Sequence, residues 1–379
     1  MQASIPHRFV ALDAWRGVAA LLVALYRLEA DGWLHALPFV QNAWLFVDFF
    51  FVLSGFVIAF AYLGKLGTPR ETLVFVVRRI GRVWPLHVVL LGVFVALELA
   101  RGLAGIIRSS PTSIFVEQRE PITILWDFLL VQALGFTGVT LWNTPAWSIS
   151  TEFWTYIVFA ILCFGGRRFV AFAAAILIVG GLAVVGAFSP KGMDTTFDFG
   201  FARCLAGFFA GVLTYYVWLT WFKSKNISPL LATTLEIGAI IAALVFVSWA
   251  GRTLMSLAAP FVFAVLVLVF ALQSGWISAV LSGKVGHLLG DLSYSIYMTA
   301  LLVSLPFNRV PVLAADRAGL NIAREHVGAG NPHMNYDLGH LLINDLYTLL
   351  YLLAVIGVSW VTFTFVEKPG RAWFNSKVG

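Results

Sequence analysis

Ten runs of mostly apolar residues recur along this chain of 379 residues. They lie near 15–34, 44–63, 83–103, 147–164, 169–187, 199–221, 229–249, 256–273, 286–306 and 342–366. A run of about 20 apolar residues in a helix spans the roughly 30 Å hydrocarbon core of a bilayer. An eleventh stretch, 122–141, is apolar but broken by Asp127, Gln132, Gly135 and Gly138, and Asn143-Thr144-Pro145 follows it. Backbone that breaks helix at membrane depth is tolerated only against protein or water. The pattern therefore predicts an all-α polytopic bundle of about ten transmembrane helices, with 122–141 as a re-entrant or interfacial piece capping a cavity.

Composition agrees with this class. Hydrophobic residues make up 60% and charged residues 12%, against about 25% charged in soluble domains. Positive charge decides the orientation. With ten spans, the side carrying both termini holds fourteen Lys and Arg, the other side holds eight, and Arg16, Arg27 and Arg203 fall inside spans. If 122–141 crossed as well, Arg167, Arg168, Lys223, Lys225, Lys284 and the tail would change sides and the bias would vanish. The positive-inside rule thus favours ten spans with cytoplasmic termini. One domain over 1–379, lying among membrane lipid, accounts for the chain. No cleavable signal peptide is expected, because the first apolar run is long and no small-residue cleavage site follows it. Two longer loops, 104–121 and 307–341, fall on the outer side in this reading. Cys163 and Cys204 read as small core residues. None of the seven histidines forms an H-x-x-x-H or H-E-x-x-H pattern, so no metal site is expected. The net charge of +6 speaks to orientation and calls for no nucleic-acid partner.

Charges inside apolar runs carry the candidate chemistry. Arg16 and Arg27 are eleven residues apart, which returns to nearly the same helix face roughly 16 Å along the axis. An arginine at this depth costs about 2.5–3.5 kcal/mol, so two on one face suggest a polar interior. Asp48, among phenylalanines, reads as an ion-pair partner of Arg16 or Arg27 or as a group that meets an acceptor. Ser54-Gly55 reads as a close-packing pair. Arg79 and Arg82 share a helix face and, with Arg78 and Lys65, read either as topology anchors or as a phosphate clamp. Pro145 reads as the first residue of a helix capped by Thr144. That places Glu152 two turns in, near the outer face, as a general base or as a partner of Arg27 or Arg203. Ser293 and Tyr297 share a face. Glu367-Lys368-Pro369-Gly370-Arg371 reads as a helix stop.

These pieces in this order resemble the membrane-bound acyltransferase-3 family: Leu12-Asp13 with Arg16-Gly17, Val47-Asp48 through Ser54-Gly55, Arg79-x-x-Arg82 with Pro85, Trp147-Ser148 through Glu152, Ser293 through Tyr297, and Val366 through Pro369. The resemblance implies a ten-helix enzyme that takes an acyl group, usually acetyl, from cytoplasmic acetyl-CoA. It would deliver the group to a hydroxyl of a surface or exported glycan, or of a related small acceptor, at the bacterial inner membrane. Arg79 and Arg82 would meet the coenzyme phosphates, helped by Arg78 and Lys65. Arg16 would belong to the catalytic signature with Arg27, Glu152 and Asp48. Glu152 would lie in an acceptor-side pocket, with Trp147, Ser150, Arg203 and Tyr294 as acceptor-binding candidates. Two positions depart from the family pattern. A histidine is usual where Arg27 and Ala300 stand here. Arginine keeps its proton, so Arg27 would stabilise an oxyanion while Glu152 or Asp48 takes the proton. Two other functions remain open: a transporter or flippase with an arginine-lined path, and a catalytically silent relative that binds without turnover.

Overall fold

A computed structural model describes residues 8–107, 120–135, 142–223, 225, 227–328 and 331–378. The main helices, in chain order, are α1 Val10–Tyr26, α2 Phe46–Tyr62, α3 Pro69–Ile107, α4 Pro121–Phe128, α5 Ala146–Cys163, α6 Gly166–Phe188 and α7 Gly200–Val217. They are followed by α8 Pro229–Ala250, α9 Ala259–Phe270, α10 Lys284–Arg317, α11 Leu341–Thr362 and α12 Lys368–Ser376. Eight of the described helices are long and apolar enough to cross a membrane. The other two expected spans, α1 and the stretch Leu254–Phe270, are shorter, and both pack into the bundle. The chain is an all-α polytopic membrane protein.

Apolar residues between helices gain little where the surroundings are also apolar, so close backbone approach must supply the packing. Small residues provide it here. A Cβ on Gly55 would stand 1.8 Å from the Phe208 carbonyl oxygen, and one on Gly211 1.9 Å from that of Val52. Thus α2 and α7 touch backbone to backbone. On the other side of α1, a Cβ on Gly17 would fall 2.5 Å from the Leu289 carbonyl, and one on Gly290 2.8 Å from that of Asp13. These contacts clamp α1 to α10. The helix α2 is largely apolar and mostly buried, with Phe49 and Phe56 fully enclosed. The helices α6, α8 and α11 expose Phe172, Val179, Val245, Leu346 and Leu353, the face a lipid-contacting helix presents.

The described part of the 122–141 stretch is not one long helix. It forms the short helix α4 and a run of turns through Gly135, while 136–141 lie outside the described residues. Its helix end is capped from α3: Trp84 Nε1 donates to the Phe128 carbonyl at 3.0 Å, and His87 Nε2 lies 2.8 Å from that of Asp127. Leu130 takes a left-handed φ of 57°, worth about 1–2 kcal/mol of strain. Its carbonyl accepts from Ser150 Oγ at 2.7 Å and Trp154 Nε1 at 2.9 Å. Its described polar residues Thr123, Asp127 and Gln132 are buried against protein, while Ile122, Leu125, Phe128 and Leu129 are exposed.

Three expectations change. The first span stops at Tyr26 instead of reaching 34, because the chain there turns to pair with a β-hairpin: Tyr336 N–H donates to the Glu29 carbonyl at 2.8 Å and Asp31 N–H to that of Tyr336 at 3.0 Å. The expected loop 307–341 is the end of α10 followed by strands β1 Ala323–Gly328 and β2 Asn331–Tyr336. Pro145 is the N-cap residue of α5, with no side-chain cap from Thr144. Of the other expected loop, 108–119 lie outside the described residues.

Candidate active site

A cavity of about 440 Å³ enters the bundle between α1, α2, α3, α5 and α10. Arg8 before α1, Asp291 in α10 and Arg371 in α12 line it, and Arg8 and Asp291 are about half exposed, so its mouth lies beside these residues. Five arginines (Arg8, Arg16, Arg79, Arg82 and Arg371) and four acids (Asp13, Glu152, Asp291 and Glu367) line the wall.

Most of these charges are paired. Arg8 bridges Asp13 at 2.6 Å and Asp291 at 2.9 Å. Arg16 Nε donates to Ser293 Oγ at 2.7 Å, and its Nη2 donates to the Gly290 carbonyl at 2.9 Å and lies 3.4 Å from Asp13. The α1–α10 clamp thus also fixes this guanidinium. Glu367 accepts from Ser295 Oγ at 2.9 Å. Arg79 sits over the rings of Tyr62 and Phe75, 5.5 and 5.8 Å from their centroids, with its Nε buried and without a hydrogen-bond partner. Arg82, half-buried, makes no ion pair and no side-chain hydrogen bond among the described residues. A guanidinium left so at a cavity wall is available to an anion.

Deeper in, Tyr156 donates to Glu152 Oε1 at 2.6 Å. The Tyr156 oxygen can then accept from Ser54 Oγ, 2.9 Å away. The carboxylate is thereby held in one orientation while facing the cavity. Further in still, Phe50, Phe51, Ser148, Ile149 and Tyr297 complete the lining.

The structure brings Arg16, Arg79, Arg82, Glu152 and Tyr294 to this one cavity; the Tyr294 hydroxyl donates to the Val83 carbonyl. Glu152 therefore shares a space with the arginine pair and is not in a separate outer pocket. The described contacts are local: Gln132 Nε2 donates to the Ala146 carbonyl and Ser150 Oγ to that of Leu130, so the stretch 121–135 packs over the start of α5.

Other candidates lie elsewhere. Asp48 pairs with Arg203, not with Arg16 or Arg27: Arg203 Nε and Nη2 donate to its two oxygens at 3.0 and 2.7 Å, and both residues are buried. Asp48 and Arg203 are thus paired with each other, and neither is among the residues that line the cavity. Trp147 is buried beneath Arg203, whose guanidinium lies 5.2 Å from its ring centroid. Ser150 is fully buried and holds Leu130. Both are therefore framework and not cavity residues. Arg78 is one residue from Arg79, hence about 100° round the helix, and is exposed. Lys65 folds back onto the Ala61 carbonyl at 2.8 Å. Arg27 follows the end of α1, outside the cavity lining, with its Nε buried and unpartnered and its carbonyl held by Asn308. Ala300 is fully buried, and its carbonyl faces the Tyr351 hydroxyl at 3.2 Å. Cys163 and Cys204 are buried and free.

Sequence reasoning gave Tyr156 no role, read Ser54 as a packing residue and placed Glu367 and Arg371 in a helix stop, whereas all four line the cavity. The i,i+4 spacing of Glu152 and Tyr156 was a usable signal. Nothing local marked Glu367 or Arg371, which reach the cavity only because α12 folds back against α3 at Gly81 and Pro85.

A helical bundle with eight described helices long and apolar enough to cross a membrane, enclosing a charged cavity, defines the class: a polytopic membrane protein. Residues 9–364 match the family described as acyltransferase domain. The chain belongs to this family of membrane acyltransferases. It is also 34% identical over 170 residues, 42% of this chain and 85% of the relative, to a protein of Rhizobium radiobacter described as "Protein 2 in picA locus". No solved structure matches it.

Proposed function

We propose that the protein transfers a short acyl group, acetyl in the first instance, from acyl-CoA to a hydroxyl of a glycan or related small acceptor. On this reading the donor enters from the side near Arg8 and Arg371; the Lys and Arg bias supports a cytoplasmic side there, and the family resemblance suggests a bacterial inner membrane. The observation that carries this reading is Arg82, a half-buried guanidinium on the cavity wall with no ion-pair partner among the described residues. Arg79 stands one turn away with a free Nε. Arginine forks suit phosphate oxygens, and the coenzyme supplies them.

The residues present fit the coenzyme: cations at the mouth, an oriented carboxylate midway, and an apolar inner end. The coenzyme supplies the acyl thioester. Glu152, fixed by Tyr156, would take the proton from the acceptor hydroxyl as that oxygen attacks the acyl carbon, and would return it to the sulfur as the carbon–sulfur bond breaks, so that the thiol leaves toward the mouth. Arg16, fixed by Ser293 and Gly290, carries a positive charge beside the path and favours the negative charge that develops on the carbonyl oxygen. No histidine is needed in this scheme, which suits a chain with Arg27 and Ala300 at their positions.

A second reading, a relative that binds the thioester without turnover, is favoured by the position of Arg27 outside the cavity lining. Thiol release from acetyl-CoA by the purified full chain, offered a panel of glycans, separates the two. We expect turnover that Glu152→Gln lowers by about 100-fold or more with coenzyme binding retained, while Arg82→Ala weakens binding. Saturable binding without turnover across the panel supports the second reading. Absence of both binding and turnover removes the first and the second together.

A further inference from the structure

We propose that Phe50, packed against Tyr297, closes the inner end of the cavity and sets the length of acyl chain the protein accepts. The proposal rests on the reading that an acyl thioester enters past the arginines.

Three helices order the cavity in the same direction. Along α2 the lining passes from Tyr62 through Val57 and Ser54 to Phe50. Along α5 it passes from Tyr156 and Glu152 to Ile149 and Ser148, and along α10 from Asp291 to Tyr297. Charge is confined to the mouth and to Glu152, and the inner end is largely aromatic and aliphatic. A thioester whose phosphates meet Arg79 and Arg82 presents its acyl carbon near Glu152 and its alkyl tail to this end.

The end is rigid. The Phe50 and Tyr297 rings meet edge to face, with centroids 5.6 Å apart and planes at 78°. Tyr297 cannot swing aside freely, because its hydroxyl donates to the Pro145 carbonyl at 3.1 Å and lies 2.8 Å from Ser148 Oγ. Behind Phe50, the Phe49 ring is fully buried. Ser54 to Phe50 and Glu152 to Ser148 are each four residues, so the wall begins about 6 Å past the polar groups. That space takes an acetyl to butyryl group, whereas an octanoyl group must displace a ring. One methylene too many in a fixed apolar slot costs about 10–200-fold in specificity.

The test uses the full-length protein with two readouts. The first is kcat/KM for acetyl-, butyryl- and octanoyl-CoA. The second is the affinity for S-ethyl- and S-octyl-CoA thioethers, which cannot react and report length selection even without turnover. Wild type is expected to favour the short member in both. Phe50→Ala should raise the octanoyl-to-acetyl and octyl-to-ethyl ratios about tenfold or more, with Phe50→Leu intermediate and the affinity for CoA itself unchanged. Ile149→Phe should narrow the end and lower the butyryl-to-acetyl ratio. Should Phe50→Ala not fold, Phe50→Leu and Ile149→Phe decide the question. A length profile that stays at wild type in folded variants that still bind CoA overturns the proposal. A wild type that selects short thioethers but never turns over acetyl-CoA supports the length selection and defeats the transfer reading instead.

Discussion

At the scale of the residue, the structure separates two kinds of buried arginine. Arg203 spends its donors on Asp48 and the Thr195 carbonyl and is part of the framework. Arg82 has no such partner among the described residues and faces the cavity. Removing one member of a buried pair leaves a stranded charge, so Asp48→Asn should destabilise the protein by about 3–5 kcal/mol, and the double change Asp48→Leu with Arg203→Met should recover most of it. Thermal unfolding in detergent measures both. Asp127 gives a pH prediction. Burial pushes its carboxyl up to about 8, against about 4 in an unfolded chain. Between those values the folded state keeps a proton that the unfolded state has released, so stability falls as pH rises from about 4 to about 8. Asp127→Asn should flatten that slope, seen as a smaller loss of melting temperature from pH 5 to pH 8; an unchanged slope contradicts the assignment. The sequence showed that Asp48 and Arg203 each need a partner, because charge inside an apolar run must be compensated. It could not pair them, since 155 residues separate the two and the choice depends on how α2 meets α7. Arg79, Arg82 and Glu152 were legible as chemistry from their residue types, but their sharing one cavity was not.

At the scale of the element, hydropathy located every long helix and misjudged several ends. The run expected over 83–103 belongs to a helix from Pro69 to Ile107, because apolarity marks hydrocarbon depth and a helix continues beyond it wherever its backbone bonds are met. The residues Arg78 to Arg82 are therefore presented on rigid helix, not on a loop. The end of α1 at Tyr26 had no local stop signal; it is set by Tyr336, more than 300 residues later. Packing at this scale is decided by glycines. Gly55→Ala or Gly211→Ala forces α2 off α7 and should cost about 1–3 kcal/mol or more, read as lost monodisperse protein and a lowered melting temperature. Gly238→Ala, with open space around it, is the matched control and should be tolerated.

At the scale of the whole molecule, the charge distribution, the re-entrant stretch and the cavity form one arrangement. Ten apolar runs are expected from sequence, and eight of the described helices are long and apolar enough to cross a membrane. The capped stretch 121–135 packs over the start of α5, and Glu152 of that helix lines the cavity. The claim on which the account depends is that a phosphate-bearing thioester occupies this cavity with its acyl end innermost. A density map of the protein with bound S-ethyl-CoA tests it most directly. The account predicts phosphates within hydrogen-bond reach of Arg79 and Arg82, and the sulfur beside Glu152 with its alkyl group toward Phe50. Phosphates bound elsewhere, or a ligand with its sulfur at the mouth, would contradict it.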